Sequence, residues 1–308
     1  MPADRFEDPC PIGLRGIVPS LHTPFTADGA IDEDALRRLV DHTVGAGCAG
    51  MLVGAVAGEV GSLTVSERRR LAAIAVERST VPVVVAVSAD DPAARLAAAR
   101  MAREAGATWM LCQAPADLGR TALRDAFAAL ADAGPPNLMI QDLSWSGGGM
   151  ALDDIVSLFD DVPAFRALKI ETIPAGPKYT DVLRATGGRL HVSGGWAVLQ
   201  MPDAMKRGVH ALMPSAMDAI YVRIWRAFHD GNEDGARRLF ERILPVLAFT
   251  QQRLELSIDF FKRLRVAEGL FATAGRRSDD FPPDAIQEAE MRRLIALVLD
   301  LQTQVIRS

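Results

Sequence analysis

The chain has 308 residues, of which 49% are hydrophobic and 24% charged, with a formal net charge of −5. That is enough chain to bury one large core, and the mild acidity excludes a broad phosphate-binding footprint, so no nucleic-acid partner is expected. Three cysteines, Cys10, Cys48 and Cys112, contain no close pair, which excludes a disulfide scaffold and a thiolate metal site and favours a reduced, cytoplasmic protein.

Residues 1–14 carry charges and prolines but no apolar segment, and read as an irregular arm rather than a signal peptide. Residues 42–58 lack Asp, Glu, Lys and Arg, but their glycines mark a helix end, a strand and a loop, not a membrane span. From there short apolar runs predict strands at 16–21, 50–53, 81–87, 108–112, 138–141, 165–170, 190–192 and 210–213. Apolar residues at three- and four-residue intervals predict intervening helices over 32–45, 65–78, 92–105, 121–133, 152–159 and 177–185, with room for a short one in 197–206. After 216 the strands stop, and helices are expected over 218–229, 233–248, 253–269 and 284–307.

Eight strands alternating with helices point to a parallel sheet with right-handed crossovers. Eight is the number that closes a (β/α)8 TIM barrel, expected over residues 15–230, with 231–308 as a C-terminal helical region available for packing between subunits. A doubly wound open sheet is the rival, but the first strand is not followed by a Gly-rich nucleotide turn.

Only four of the 34 basic residues are lysines: Lys169, Lys178, Lys206 and Lys262. Lys169 ends a largely apolar strand, and side-chain alternation puts Glu171 on the same face. An amine enclosed by an apolar barrel loses solvation of its charged form and becomes nucleophilic toward a ketone or aldehyde. Arginine stays protonated and cannot form that imine. The competing reading is an ion pair of Lys169 with Glu171 at the barrel mouth. The other three lysines read as solvated surface.

The segment Thr23-Pro24-Phe25-Thr26-Ala27-Asp28-Gly29-Ala30-Ile31-Asp32 resembles the opening signature of the dihydrodipicolinate synthase / N-acetylneuraminate lyase family. Gly58-Glu59, Leu63-Thr64-Val65-Ser66-Glu67-Arg68 and Ser193-Gly194-Gly195 are similar to further motifs of that family, and Lys169 falls where it carries a Schiff-base lysine. The resemblance implies a homotetramer or dimer acting on pyruvate or another 2-keto acid by class I aldolase-type chemistry, with no metal or organic cofactor. It places the substrate near Val56, Ala57, Gly58, Gly194 and Gly195, and assigns Glu59 a structural role in satisfying backbone N–H groups.

The departures are equally specific. Ala55-Val56-Ala57-Gly58-Glu59 stands where the family has Gly-Thr-Thr-Gly-Glu, and Gln141 stands where it has a tyrosine acid/base. Glutamine hydrogen-bonds but does not transfer a proton near neutral pH. The turn after the fourth strand, Gln113-Ala114-Pro115-Ala116, also lacks a tyrosine, and no basic residue stands near Ser146. Tyr179 and Tyr221 fall in helices. Candidate proton carriers are therefore His22, whose other reading is a loop histidine bonded to backbone, and Glu171. Asp142 is a third candidate, which by alternation should point away from the barrel interior unless the strand ends there. Trp145 either walls an apolar pocket or packs. Gly147-Gly148-Gly149 reads as a flexible substrate loop in preference to a phosphate cradle. These features predict a Schiff-base-forming lyase, aldolase or dehydratase other than a true dihydrodipicolinate synthase, with a bulkier or more apolar substrate. The alternative is a keto-acid-binding or structural homo-oligomer that has lost catalysis.

Overall fold

The computed structural model describes residues 13–116, 118–195, 198–277 and 282–307, so most of the expected arm lies outside the described residues. Its sheet has eight parallel strands: β1 Gly16–Ile17, β2 Met51–Val53, β3 Val83–Ala86, β4 Trp109–Gln113, β5 Asn137–Leu143, β6 Phe165–Glu171, β7 His191–Gly194 and β8 Ala211–Leu212. Each pairs with the next in the chain from β2 onward, and β8 returns to pair with β1. The Ser20–Leu52 bridge then joins the end of β1 to β2 and closes the barrel.

β1 is shorter than its apolar run because Pro19, which has no N–H, interrupts the ladder. Pairing nevertheless continues irregularly, through Val18 N–H to Leu212 C=O at 2.9 Å and Ser20 N–H to Pro214 C=O at 2.7 Å. Around the sheet run α1 Glu33–Gly45, α2 Val65–Arg78, α3 Pro92–Glu104, α4 Arg120–Ala133, α5 Leu152–Asp161, α6 Ala175–Ala185, α7 Met201–Lys206 and α8 Asp218–His229.

Local sequence explains where several of these helices begin. Asp32 accepts from Ala35 N–H at the start of α1, and Asp91 does the same for Ala94 ahead of Pro92 in α3. Thr64 and Glu67 form a reciprocal capping box on α2, whose buried face is Leu71, Ala72, Ile74 and Ala75. Each such cap stabilises its helix by about 1 kcal/mol. α7 starts later than its apolar pattern, at Met201, and Ala197 lies outside the described residues.

The barrel interior holds its own apolar cluster, including Leu14, Val18, Leu52, Val84, Trp109, Leu111, Met139 and Ala167, which plugs the lumen below the strand ends. After the barrel come α9 Glu233–Thr250, α10 Leu254–Ala267 and α11 Ala285–Arg307, with α11 packed on α8, α9 and α10. The wholly buried Arg265 of α10 pairs with Asp218 at 3.0 Å and Glu268 at 2.9 Å, and Thr43 of α1 donates to the same Asp218 carboxylate at 3.3 Å. One ion network therefore ties α10 to the barrel helices.

Candidate active site

Parallel register sets the site's first row. Gln113 pairs with Gln141, Gln141 with Lys169, and Lys169 with Ser193, so four polar side chains leave adjacent strands at one level. One step further along, Leu143 pairs with Glu171. The level beneath, Leu111, Met139 and Ala167, is apolar. Period-two alternation therefore carries Lys169 and Glu171 inward at the strand ends while Leu168 and Ile170 face the helices.

Lys169, Glu171 and Gln141 are all buried, at 6%, 8% and 9% exposure. Lys169 Nζ lies 3.1 Å from Glu171 Oε2, and Gln141 Nε2 donates to that same oxygen. The carboxylate is thus held by an ammonium and an amide at once. Gln141 can orient it but cannot exchange protons with it.

These three groups line a cavity of about 400 Å³, within the ordinary range for a small-molecule site. One wall is Ala55, Val56, Ala57 and Val60, and another is Leu143 with Trp145. A third comes from the turn between α9 and α10, where Thr250, Gln251, Gln252, Arg253, Leu254 and Ser257 overhang the strand ends. The C-terminal region therefore builds part of the site. Ser20, Ser88, Gln113 and Ser215 add neutral hydrogen-bonding groups among apolar lining that includes Val56, Trp145, Leu111 and Met213. Arg253, paired with Glu255 at 2.6 Å, is a cation that sequence pattern did not bring to the site.

Val56, Ala57 and Trp145 line this cavity, whereas Gly58, Gly194 and Gly195 do not. Gly58 shapes the neighbouring turn: its carbonyl accepts from Thr23 Oγ1 at 2.6 Å, and a Cβ there would crowd the Leu21 carbonyl. A side chain at Gly194 would press on Tyr179 Oη and Leu212, and one at Gly195 would overlap the Glu171 carboxylate. Gly195 thus provides the room in which Glu171 lies. Tyr179 stands behind the site on α6, buried, with its hydroxyl directed to the Ile170 carbonyl.

His22 does not fit either reading of it. It is 1% exposed, lies beside Phe261 outside the cavity, and neither ring nitrogen has a hydrogen-bond partner among the described residues. Burial, and then the charges of Arg265 and Lys262, hold its pKa well below the usual imidazole range. Its ring is therefore neutral near physiological pH and is not part of the cavity lining.

Of the lysines expected at the surface, Lys262 is buried and Lys178 partly buried. Lys262 of α10 is wholly enclosed, pairs with Glu59, donates to Gly275 C=O at 2.7 Å and sits 4.2 Å above the Phe25 ring. Lys178 pairs with the buried Asp142, which faces away from the lumen as alternation requires. Lys206 is half exposed beside Glu233. Glu59 also accepts the backbone N–H of Arg277 at 3.1 Å, and that guanidinium in turn reaches Glu67 and the carbonyls of Gly29 and Ser62. The conspicuous sequence motifs thus fasten the Val56–Gly58 wall to the C-terminal region. Their work is structural.

No group of three or more His, Cys, Asp or Glu among the described residues could hold a metal ion, and no described helix is long and apolar enough to cross a membrane.

Residues 13–272 match the model of the Dihydrodipicolinate synthetase family. The 4-hydroxy-tetrahydrodipicolinate synthase of Methanothrix thermoacetophila is 26% identical over 244 residues, covering 76% of this chain and 81% of its own. The enzyme of that name from Thermomicrobium roseum is 30% identical over 240 residues, with 76% and 78% covered. Among solved structures, dihydrodipicolinate synthase from Rhodopseudomonas palustris superposes with a TM-score of 0.85 at 24% identity, covering 92% of this chain and 97% of that one. Proteus mirabilis N-acetylneuraminate lyase gives 0.83 at 19% identity, with 93% and 99% covered. These two structural likenesses establish the shared fold.

Proposed function

Because the chain belongs to the dihydrodipicolinate synthetase family, whose members are lyases of class I aldolase type, we propose that Lys169 forms an imine with pyruvate or another 2-keto acid, and that loss of water is the reaction its site favours. The observation that carries this reading is the placement of Glu171 Oε2, 3.1 Å from Lys169 Nζ and fixed by Gln141.

In the proposed reaction the Lys169 amine adds to the C2 ketone of a 4-hydroxy-2-keto acid, and water leaves as the imine forms. The protonated imine withdraws electrons from C3. Glu171, beside the imine nitrogen, takes the C3 proton and leaves an enamine. The enamine electrons then expel a hydroxyl from C4, which departs as water with the proton that Glu171 acquired. Hydrolysis of the imine restores the lysine. One carboxylate serves as base and acid in turn, so no second proton carrier is required.

Aldol cleavage would start instead with a base at the C4 hydroxyl, with Gln141 standing where the family has a tyrosine acid/base. The side chain that hydrogen-bonds Glu171 is Gln141, which does not transfer a proton near neutral pH. The same substitution, with no arginine at Ser146, separates the chain from dihydrodipicolinate synthase activity itself. The keto-acid carboxylate would lie against the backbone of Ala55, Val56 and Ala57, where the family threonines are absent.

The test is to incubate the protein with pyruvate and a panel of 2-keto acids, reduce with borohydride and map the adduct. An adduct at Lys169 is expected; none with any member of the panel would overturn the imine and leave a keto-acid-binding homologue. Product analysis with 4-hydroxy-2-keto acids then separates the branches. Dehydrated product is expected, and release of pyruvate with an aldehyde would assign aldol cleavage.

A further inference from the structure

We infer that Lys178 is a positioning residue: with the buried Asp142 it forms a tether that sets the Trp145 loop at the cavity mouth and so selects the substrate's tail. The inference rests on the imine-forming site proposed above, but on a different set of contacts. β5 ends at Leu143, and the chain then runs through Ser144, Trp145 and the three glycines before α5. Nothing in such a segment fixes its own path, because glycine restricts the backbone less than any other residue.

The path is fixed from outside. Asp142, 1% exposed on the outer face of β5, accepts Met150 N–H at 2.8 Å and pairs with Lys178 at the start of α6. The same ammonium donates to the carbonyls of Gly148 and, at 2.6 Å, Met150. Ile173 N–H reaches Gly147 C=O at 3.2 Å, and Ser144 N–H reaches Glu171 C=O at 3.0 Å. Gly149 closes against this anchor with φ +67°, where any side chain would overlap Asp142 and Thr172. The carbonyls of Gly148 and Met150 thus converge on a cation of the chain's own, and Gly149 is the one position of the run whose geometry requires glycine.

Trp145 is held at the other end of the tethered segment. It is 64% exposed and lines the cavity beside Leu143, remote from Lys169's attachment to the substrate carbonyl. A substrate tail leaving the imine toward the mouth meets this ring. Lys178 itself does not line the cavity. Its effect on the reaction must pass through the loop.

The experiment compares borohydride trapping of pyruvate and of 2-oxo-4-phenylbutanoate, together with hydrogen exchange over residues 144–150. Lys178→Met is expected to lower trapping of the phenyl acid at least tenfold more than trapping of pyruvate, and to speed exchange in that segment by tenfold or more. Trp145→Ala should reproduce the selectivity change, and combining the two should add nothing further. If Lys178→Met fails to fold, the pair Lys178→Gln with Asp142→Asn removes both charges and is read in the same way. Lys178→Arg should restore most of the selectivity. Equal losses for both acids, additive losses with Trp145→Ala, or unchanged exchange would each overturn the tether. If the unsubstituted protein traps neither acid, the imine proposal fails on its own, and exchange alone then decides whether Lys178 holds the loop.

Discussion

Lys169 Nζ and Glu171 Oε2 face each other at 3.1 Å from alternate positions of one strand. This spacing makes the carboxylate the ion-pair partner of the resting amine, and in the proposed reaction the base beside its imine. Glu171→Gln keeps the shape and removes the proton exchange. Imine trapping by pyruvate should persist, while turnover falls by about 10²–10⁴-fold. Turnover within tenfold of the parent would place the proton transfer elsewhere.

The two glycines at the end of β7 should separate stability from chemistry. Gly194→Ala presses on Tyr179 and Leu212 and should cost about 1–3 kcal/mol of stability, read from denaturant unfolding. Gly195→Ala displaces the Glu171 carboxylate, and its main effect should be a fall of more than tenfold in kcat. The opposite pattern would show that Glu171's position is not set by the room Gly195 leaves.

Lys262→Met leaves the Glu59 carboxylate buried beside an apolar side chain. Breaking such a pair costs about 3–5 kcal/mol, so the unfolding midpoint should drop sharply. Adding Glu59→Gln should recover most of the loss, because the amide oxygen can still accept the Arg277 N–H. Denaturant unfolding of the three variants measures both effects.

His22 gives the fold a pH dependence of predictable sign. Its folded pKa lies well below 6.5, so the unfolded chain binds the extra proton first as pH falls. Stability should therefore decline as pH drops below about 6.5, until the folded-state pKa is passed. His22→Leu should flatten that decline, measured as unfolding midpoints at successive pH values. An unchanged slope would show that His22 does not govern it.

Much of this site could be read from local pattern. Period two placed Lys169 and Glu171 on one face, and Asp142 on the other, because β5 and β6 are regular throughout that stretch. His22 was misplaced because the ladder after β1 is broken at Pro19, and alternation cannot be counted through an irregular segment. Lys262 looked like a surface residue because an amphipathic pattern marks one buried stripe. It cannot show that Glu59, the Gly275 carbonyl and the Phe25 ring close over the remaining face. Arg253 and its neighbours were invisible for a related reason. Their role depends on where a helix–helix turn comes to rest over the barrel, and no short-range spacing encodes that.

The wall formed by Thr250–Ser257 comes from chain synthesised after all eight strands. On a ribosome the strand carrying Lys169 emerges well before the segment that encloses it. Until α10 docks, bringing Lys262 to Glu59 and Arg265 to Asp218, the cavity is open on one side and the Val56–Gly58 turn lacks its anchor. A complete pocket therefore cannot exist before the chain beyond the barrel is made and docked.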